Sequence, residues 1–179
     1  MKKRYLLAVL AIFIILASAS AQFRFEIGAA APVKVGYITG NGSTYGSMLD
    51  LVGTLGIIPV GNLGLFLEGD MGFLKLGVGA KIQTLVLASA AYPAVQAELA
   101  LGPVFVDLSV GGYYVAYYTV GNIFGVQNIG LLFPDASLWL GLGKKKNLRL
   151  GGGAVAAVPV SLDLTELPFV AYAGLKVVL

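Results

Sequence analysis

Val95-Gln96-Ala97-Glu98-Leu99-Ala100-Leu101-Gly102-Pro103-Val104-Phe105-Val106-Asp107-Leu108-Ser109 reads as two strands joined by a tight turn. Val95, Ala97, Leu99 and Leu101 alternate with Gln96, Glu98, Ala100 and Gly102. Val104, Val106 and Leu108 then alternate with Phe105, Asp107 and Ser109. Side chains on a strand point to opposite faces with period two, so each run has a greasy face and a polar or small one. The same pattern lies on either side. Phe23, Phe25 and Ile27 alternate with Arg24, Glu26 and Gly28, and Leu63, Leu65 and Leu67 with Gly64, Phe66, Glu68 and Asp70.

Extended along the chain, the pattern predicts strands at Gln22 to Ala31, Ser47 to Ile58, Leu63 to Asp70, Leu76 to Leu87, Val95 to Leu101 and Val104 to Tyr118. Ala136 to Gly143, Leu148 to Val158 and Phe169 to Leu179 complete the series. Val33 to Thr39 is either a separate strand or a continuation past Pro32. Gly40 to Gly46, Pro59 to Asn62 and Ala91-Tyr92-Pro93 read as connections, since Gly, Pro and Asn mark turns. Thr119 to Phe133 is less regular and reads as a long loop. An even strand number with short turns on one side requires either eight strands, with two short segments merged, or ten, with Pro32 dividing the first segment; eight is favoured.

Composition decides where such strands sit. Hydrophobic residues make up 58% and charged residues 12% of the chain, against roughly 25% charged in soluble domains. Past the N-terminal segment no apolar run is long enough for a helical span, which needs roughly 20 residues. An antiparallel up-and-down transmembrane β-barrel resolves the conflict. It turns its apolar face to lipid, and closure satisfies the backbone. On this reading Leu63, Leu65, Leu99, Leu101, Val106, Leu108 and Leu150 face lipid.

The N-terminus carries an export signal. Lys2, Lys3 and Arg4 precede the apolar run Tyr5 to Ala17, and Ala19-Ser20-Ala21 supplies a cleavage site before Gln22. Residues 1–21 are expected to be removed, leaving 22–179 as a single barrel domain. Without Lys2, Lys3 and Arg4 the 12 basic residues become 9, equal to the 9 acidic ones. The basic balance therefore belongs to the precursor and gives no support for a nucleic-acid partner.

Chemistry is bounded by what is missing. The chain has no His and no Cys, so a Ser-His-Asp hydrolase, a thiol enzyme and the usual zinc set are all excluded. Leu76 to Lys81 and Leu138 to Lys145 lack the spacing of a phosphate loop. No catalytic residue, metal ligand or cofactor is indicated. What remains is a set of charges opposite the apolar stripe: Arg24, Glu26, Asp50, Glu68, Asp70, Lys81, Glu98, Asp107, Arg149 and Lys176. In a narrow barrel these share the lumen and must pair, because an isolated buried charge costs several kcal/mol. Tyr113, Tyr114, Tyr117 and Tyr118, with Phe23, Phe25 and Phe169, fit interfacial aromatic belts. Lys144-Lys145-Lys146 reads as a solvated turn, with anionic headgroups as the alternative contact.

In its export signal, alternating strands, dense Gly and C-terminal strand, the chain resembles small bacterial outer-membrane β-barrel proteins. The last strand sets Phe169, Ala171, Ala173, Leu175, Val177 and Leu179 on one face, with Tyr172, Gly174 and Lys176 opposite. It ends in Leu179 where such strands usually end in an aromatic residue. The resemblance implies outer-membrane localisation, with lipid and the barrel assembly machinery as partners. It implies a non-enzymatic structural or surface-interaction role. A narrow porin-like channel is the alternative, and a soluble periplasmic lipocalin-like barrel a further one.

Overall fold

A computed structural model describes residues 20–39, 42–44, 60–85, 88–119, 122–161 and 166–179. Ten strands follow in order: β1 (Ser20–Thr39), β2 (Gly42–Thr44), β3 (Val60–Asp70), β4 (Leu74–Leu85), β5 (Ala88–Leu101), β6 (Val104–Thr119), β7 (Asn122–Leu142), β8 (Leu148–Ala156), β9 (Val158–Pro159) and β10 (Glu166–Val178). Among the described residues, β1, β3 to β8 and β10 form one antiparallel ring. Each pairs with the next, and β10 closes on β1 from Glu26↔Val178 to Thr39↔Glu166. The ring therefore has eight strands. β2 and β9 are short additions on β1 and β7.

The eight-strand count follows from two local features. Pro32 does not divide β1. The strand continues through it, and the ladder absorbs the proline as a register shift between Pro32 and Lys34, one of the few places a sheet tolerates Pro. β1 also pairs directly with β3, from Ser20↔Asp70 to Ala30↔Val60. The strand expected at Ser47 to Ile58 lies outside the described residues, and the ring closes without it.

The ladders run further than alternation predicts at the rim opposite the chain ends. Ala91-Tyr92-Pro93, expected to be a connection, lies within β5, where a register shift between Ala91 and Ala94 accommodates the proline. Val60 to Asn62 belongs to β3, and Gly42 to Thr44 folds back as β2. The expected loop Thr119 to Phe133 is mostly strand, because β7 starts at Asn122 and pairs with β6 from Thr119↔Asn122 to Val104↔Leu140. Two shifts in that ladder explain the irregular pattern, one beside Gly112 (φ 110°) and Tyr113 (φ 68°). A bulge inserts a residue and flips the alternation beyond it.

At one rim the turns Met71 to Phe73, Gly102-Pro103 and Gly143 to Asn147 lie with both ends of the ring's chain. This is the proximal rim. Gly102 takes φ 67° there, which a two-residue turn requires and glycine adopts without strain. The distal rim carries the remaining connections. β7 is 21 residues long, about twice what a tilted transmembrane strand needs, so the β6–β7 hairpin stands above the ring.

The two faces of the wall are inverted relative to a water-soluble protein. Phe23, Leu65, Leu101, Leu108, Leu138 and Leu150 point outward and are exposed. Leu63, Leu99 and Val106 share that face but are half-buried between neighbouring side chains. Among the described residues, outward-alternating positions carry no Asp, Glu, Lys or Arg except Lys34, beyond the Pro32 bulge. The buried residues instead include Arg24, Glu68, Glu98, Arg149 and Lys176. Phe23 and Phe73 are exposed near the proximal rim, and Tyr114, Tyr118 and Phe124 toward the distal one.

Candidate functional site

The interior is built from the inward positions of the eight strands, and its proximal half is filled. Arg24 of β1 is the hub. Its Nη1 donates to Glu68 Oε2 at 2.7 Å, its Nη2 lies 2.5 Å from Glu26 Oε1, and it also bonds Glu98. Arg149 of β8 grips the same Glu98 with two donors, Nη1 to Oε2 at 2.6 Å and Nη2 to Oε1 at 3.3 Å. Lys75 pairs with Glu68 at 3.2 Å and with Asp70 at 3.5 Å. Lys176 of β10 pairs with Glu26 at 3.1 Å and with Asp107.

Register explains why Glu98, Asp107, Arg149 and Lys176 find partners across the lumen as well as along the wall. Glu98 sits directly opposite Asp107 in the β5–β6 ladder, and Lys176 directly opposite Arg149 in the β8–β10 ladder. Like charges at such positions repel. Here Glu98 reaches Arg24 and Arg149, and Asp107 reaches Lys176, each on a strand not adjacent to its own. The acid pair on β5 and β6 is thereby matched to bases of β1, β8 and β10. Closure of the barrel is what makes the wall charges compatible.

Aromatic rings fill the gaps in this floor. Phe66 is fully buried. A Cβ at Gly64 would sit 2.8 Å from its ring, so glycine there makes room for it. Arg149 stacks its guanidinium over Phe105 at 3.7 Å, and Lys176 Nζ lies 4.8 Å from the Trp139 ring centre. Trp139 Nε1 donates to Ser137 Oγ at 2.8 Å. With ion pairs and rings in contact, the proximal half is a packed plug.

Above it the lumen opens. Lys81 Nζ donates to Ser109 Oγ at 2.6 Å and to Asp135 Oδ2 at 3.3 Å, and Tyr172 Oη donates to Asp135 Oδ1 at 2.7 Å. These groups, with Glu26, Asp107 and Lys176 beneath, floor a cavity of about 410 Å³ whose walls rise to Tyr117 and Tyr118.

Of the ten charges singled out by alternation, Asp50 lies outside the described residues, and eight of the other nine lie within the interior. Asp70 is the exception. Its side chain is 36% exposed at the proximal mouth, where Oδ1 accepts the Gly72 N–H at 2.7 Å. A strand-end aspartate closing its own turn does this work, so Asp70 belongs to the turn and touches the network through Lys75. Lys75 and Asp135 were not anticipated. Lys75 lies one residue before the predicted start of its strand. Asp135 lies just past Pro134, yet Asp135, Ser137 and Trp139 alternate with Pro134, Ala136 and Leu138, and that extension was the available signal. Of the three turn lysines, Lys144 and Lys145 are exposed, and Lys146 Nζ donates to the Gly102 carbonyl at 2.8 Å, tying two turns together.

No protein-family model and no curated protein matches the chain. Among solved structures it is similar to Neisserial surface protein A, with a TM-score of 0.48 at 12% identity over 88% of this chain and 98% of that one. It is also similar to the outer membrane enzyme PagL, with 0.42 at 15% identity over 85% and 98%. A third is Ail, the attachment invasion locus protein of Yersinia pestis, with 0.38 at 14% identity over 88% and 97%. These likenesses concern the course of the chain and not its chemistry.

Proposed function

We propose that this chain is an integral outer-membrane β-barrel with a structural or surface-interaction role, and that its plugged lumen conducts no ions. The observation that carries this reading is the inversion of the wall. A continuous outward apolar surface is stable against lipid, while the interior charges are stable only where they are paired. A lipocalin-like barrel in water requires the opposite arrangement. Its partners on this reading are the lipid around the Leu65 and Leu108 face and the assembly machinery that takes up the C-terminal strand.

A non-enzymatic role is supported by what surrounds the lumen hydroxyls. Ser109 Oγ receives a hydrogen bond from Lys81, and Ser137 Oγ one from Trp139. A serine nucleophile needs a neighbour that takes its proton; the chain has no His, and the Lys81 beside Ser109 is held by Asp135 at 3.3 Å.

Two measurements test this. Purified protein reconstituted in a planar bilayer is expected to show no steady conductance. Reproducible single-channel steps, with a selectivity that changes on replacing Lys176, would favour a narrow pore instead. Detergent-dependent extraction with the outer membrane is expected, and release with the periplasmic fluid would refute the location. The exported protein is expected to begin at Gln22. The β1–β3 ladder reaches back to Ser20↔Asp70, so cleavage there removes two pairings at the rim and leaves the Gln22 side chain on Glu68, at 3.4 Å. An intact mass that retains Lys2 to Arg4 would contradict it.

A further inference from the structure

Among the described residues, Lys144 and Lys145 stand apart from every other cation. Both are exposed and neither side chain has a partner, whereas each remaining lysine and arginine is engaged. Acid at the same rim is spoken for, since Asp70 is held by Lys75 and by the Gly72 N–H.

The turn that carries them is braced by both of its neighbours. Lys146 holds φ 55°, which a residue other than glycine rarely adopts, and its Nζ donates to the Gly102 carbonyl at 2.8 Å. The Gly141 N–H donates to the Pro103 carbonyl at 2.7 Å, and the Val178 N–H to the Asn147 carbonyl at 2.9 Å. Lys146 is thus spent on holding the turn, and the other two lysines leave it on a fixed backbone.

Their height follows from the strands below. Leu142 and Leu148 face each other in the β7–β8 ladder directly beneath the turn. Both point outward, 40% and 45% exposed, and mark the proximal edge of the apolar band. Lys144 and Lys145 follow Leu142 closely, at most about 10 Å beyond it at roughly 3.3 Å per residue. A polar headgroup layer is roughly 5–8 Å deep on each side of the hydrocarbon. A reversing turn covers less than its extended length, so both ammonium groups stand at the level of lipid phosphates. Charge there is confined to one side. The β3–β4 turn lies diametrically across the ring and carries exposed Met71 and Phe73 but no charge, and Gly102-Pro103 carries none either.

We propose that Lys144 and Lys145 bind the phosphate of an anionic lipid headgroup in the proximal leaflet and so anchor this side of the barrel to it. The inference rests on the membrane reading above. A zwitterionic head brings its own cation to the phosphate and gains little from two lysines. A head of net negative charge gains about fivefold in affinity per lysine at the surface.

Native mass spectrometry of the full chain in neutral detergent, titrated with phosphatidylglycerol and with phosphatidylcholine, reads the two affinities separately. Phosphatidylglycerol is expected to bind at least tenfold tighter at low salt, and the preference should shrink as salt is raised. It should vanish in the double variant Lys144→Gln/Lys145→Gln and persist in Lys144→Arg/Lys145→Arg. Both changes leave the Lys146 brace in place, and the comparison of lipids on the unaltered chain needs no variant. Equal affinity for the two lipids would overturn the proposal. A preference that survives in the glutamine variant would do the same, by placing the anionic lipid elsewhere on the wall. Displacement of phosphatidylglycerol by polyglutamate that binds more tightly would make the turn a dock for an acidic chain and not for lipid. A chain that takes up neither lipid and stays folded without detergent would refute the membrane reading itself, whereas equal uptake of both removes only this inference.

Discussion

Replacing Glu98 with Leu should lower unfolding free energy by about 3–5 kcal/mol, the usual cost of breaking a buried ion pair by removing one partner. Glu98 is 1% exposed and accepts from both Arg24 and Arg149. Arg24 keeps Glu26 and Glu68 after the change. Among the described residues Arg149 then keeps only the Lys146 carbonyl at 3.4 Å and the Phe105 face, and no anion there replaces Glu98. Removing both partners, as in Glu98→Leu with Arg149→Met, takes the stranded charge away and should recover most of the loss, because hydrophobic replacement of a whole buried pair is often near neutral. Arg149→Met alone should cost less than Glu98→Leu, since Glu98 still has Arg24. Denaturant unfolding of the four proteins in vesicles measures the cycle. Equal, small losses for all three variants would mean that these charges are hydrated and the plug is open.

What the sequence could and could not show follows from the range of the interactions. The inward or outward sense of Arg24, Glu68, Glu98, Asp107, Arg149 and Lys176 is a local property, set by period-two alternation, and it was legible. Strand ends were less so. Pro32, Pro93 and Pro134 look like boundaries, yet each lies inside a strand, two of them beside a register shift. The local signal of proline is the same whether the ladder stops or bulges. Starting one strand at Ala136 left out Asp135, and starting another at Leu76 left out Lys75. Partner choice was not legible at all. Lys176 and Glu26 are 150 positions apart and meet only because the last strand closes on the first. The cavity above the plug was equally invisible, because it arises where the plug stops and no single stretch encodes that height.

The membrane reading makes a depth-dependent prediction that a barrel in water does not. Leu65 and Leu101 are 55% and 58% exposed on the outward face. Leu101 lies next to the Gly102-Pro103 turn at the proximal rim. Leu65 lies five positions inside the Asp70 end of β3, near mid-height of the ring, paired with Phe25 and Ala80. Leu65→Arg should therefore cost about 2–4 kcal/mol in a bilayer, and Leu101→Arg about 0–1 kcal/mol, because the cost of arginine on the lipid face falls from midplane to interface. In water the two changes should be nearly alike, within about 0.5 kcal/mol of neutral at exposed positions. Paired unfolding measurements in vesicles decide the matter. A loss at Leu65 that matches the loss at Leu101 would mean that no hydrocarbon surrounds this wall, and the outward apolar band would then need a protein partner to cover it.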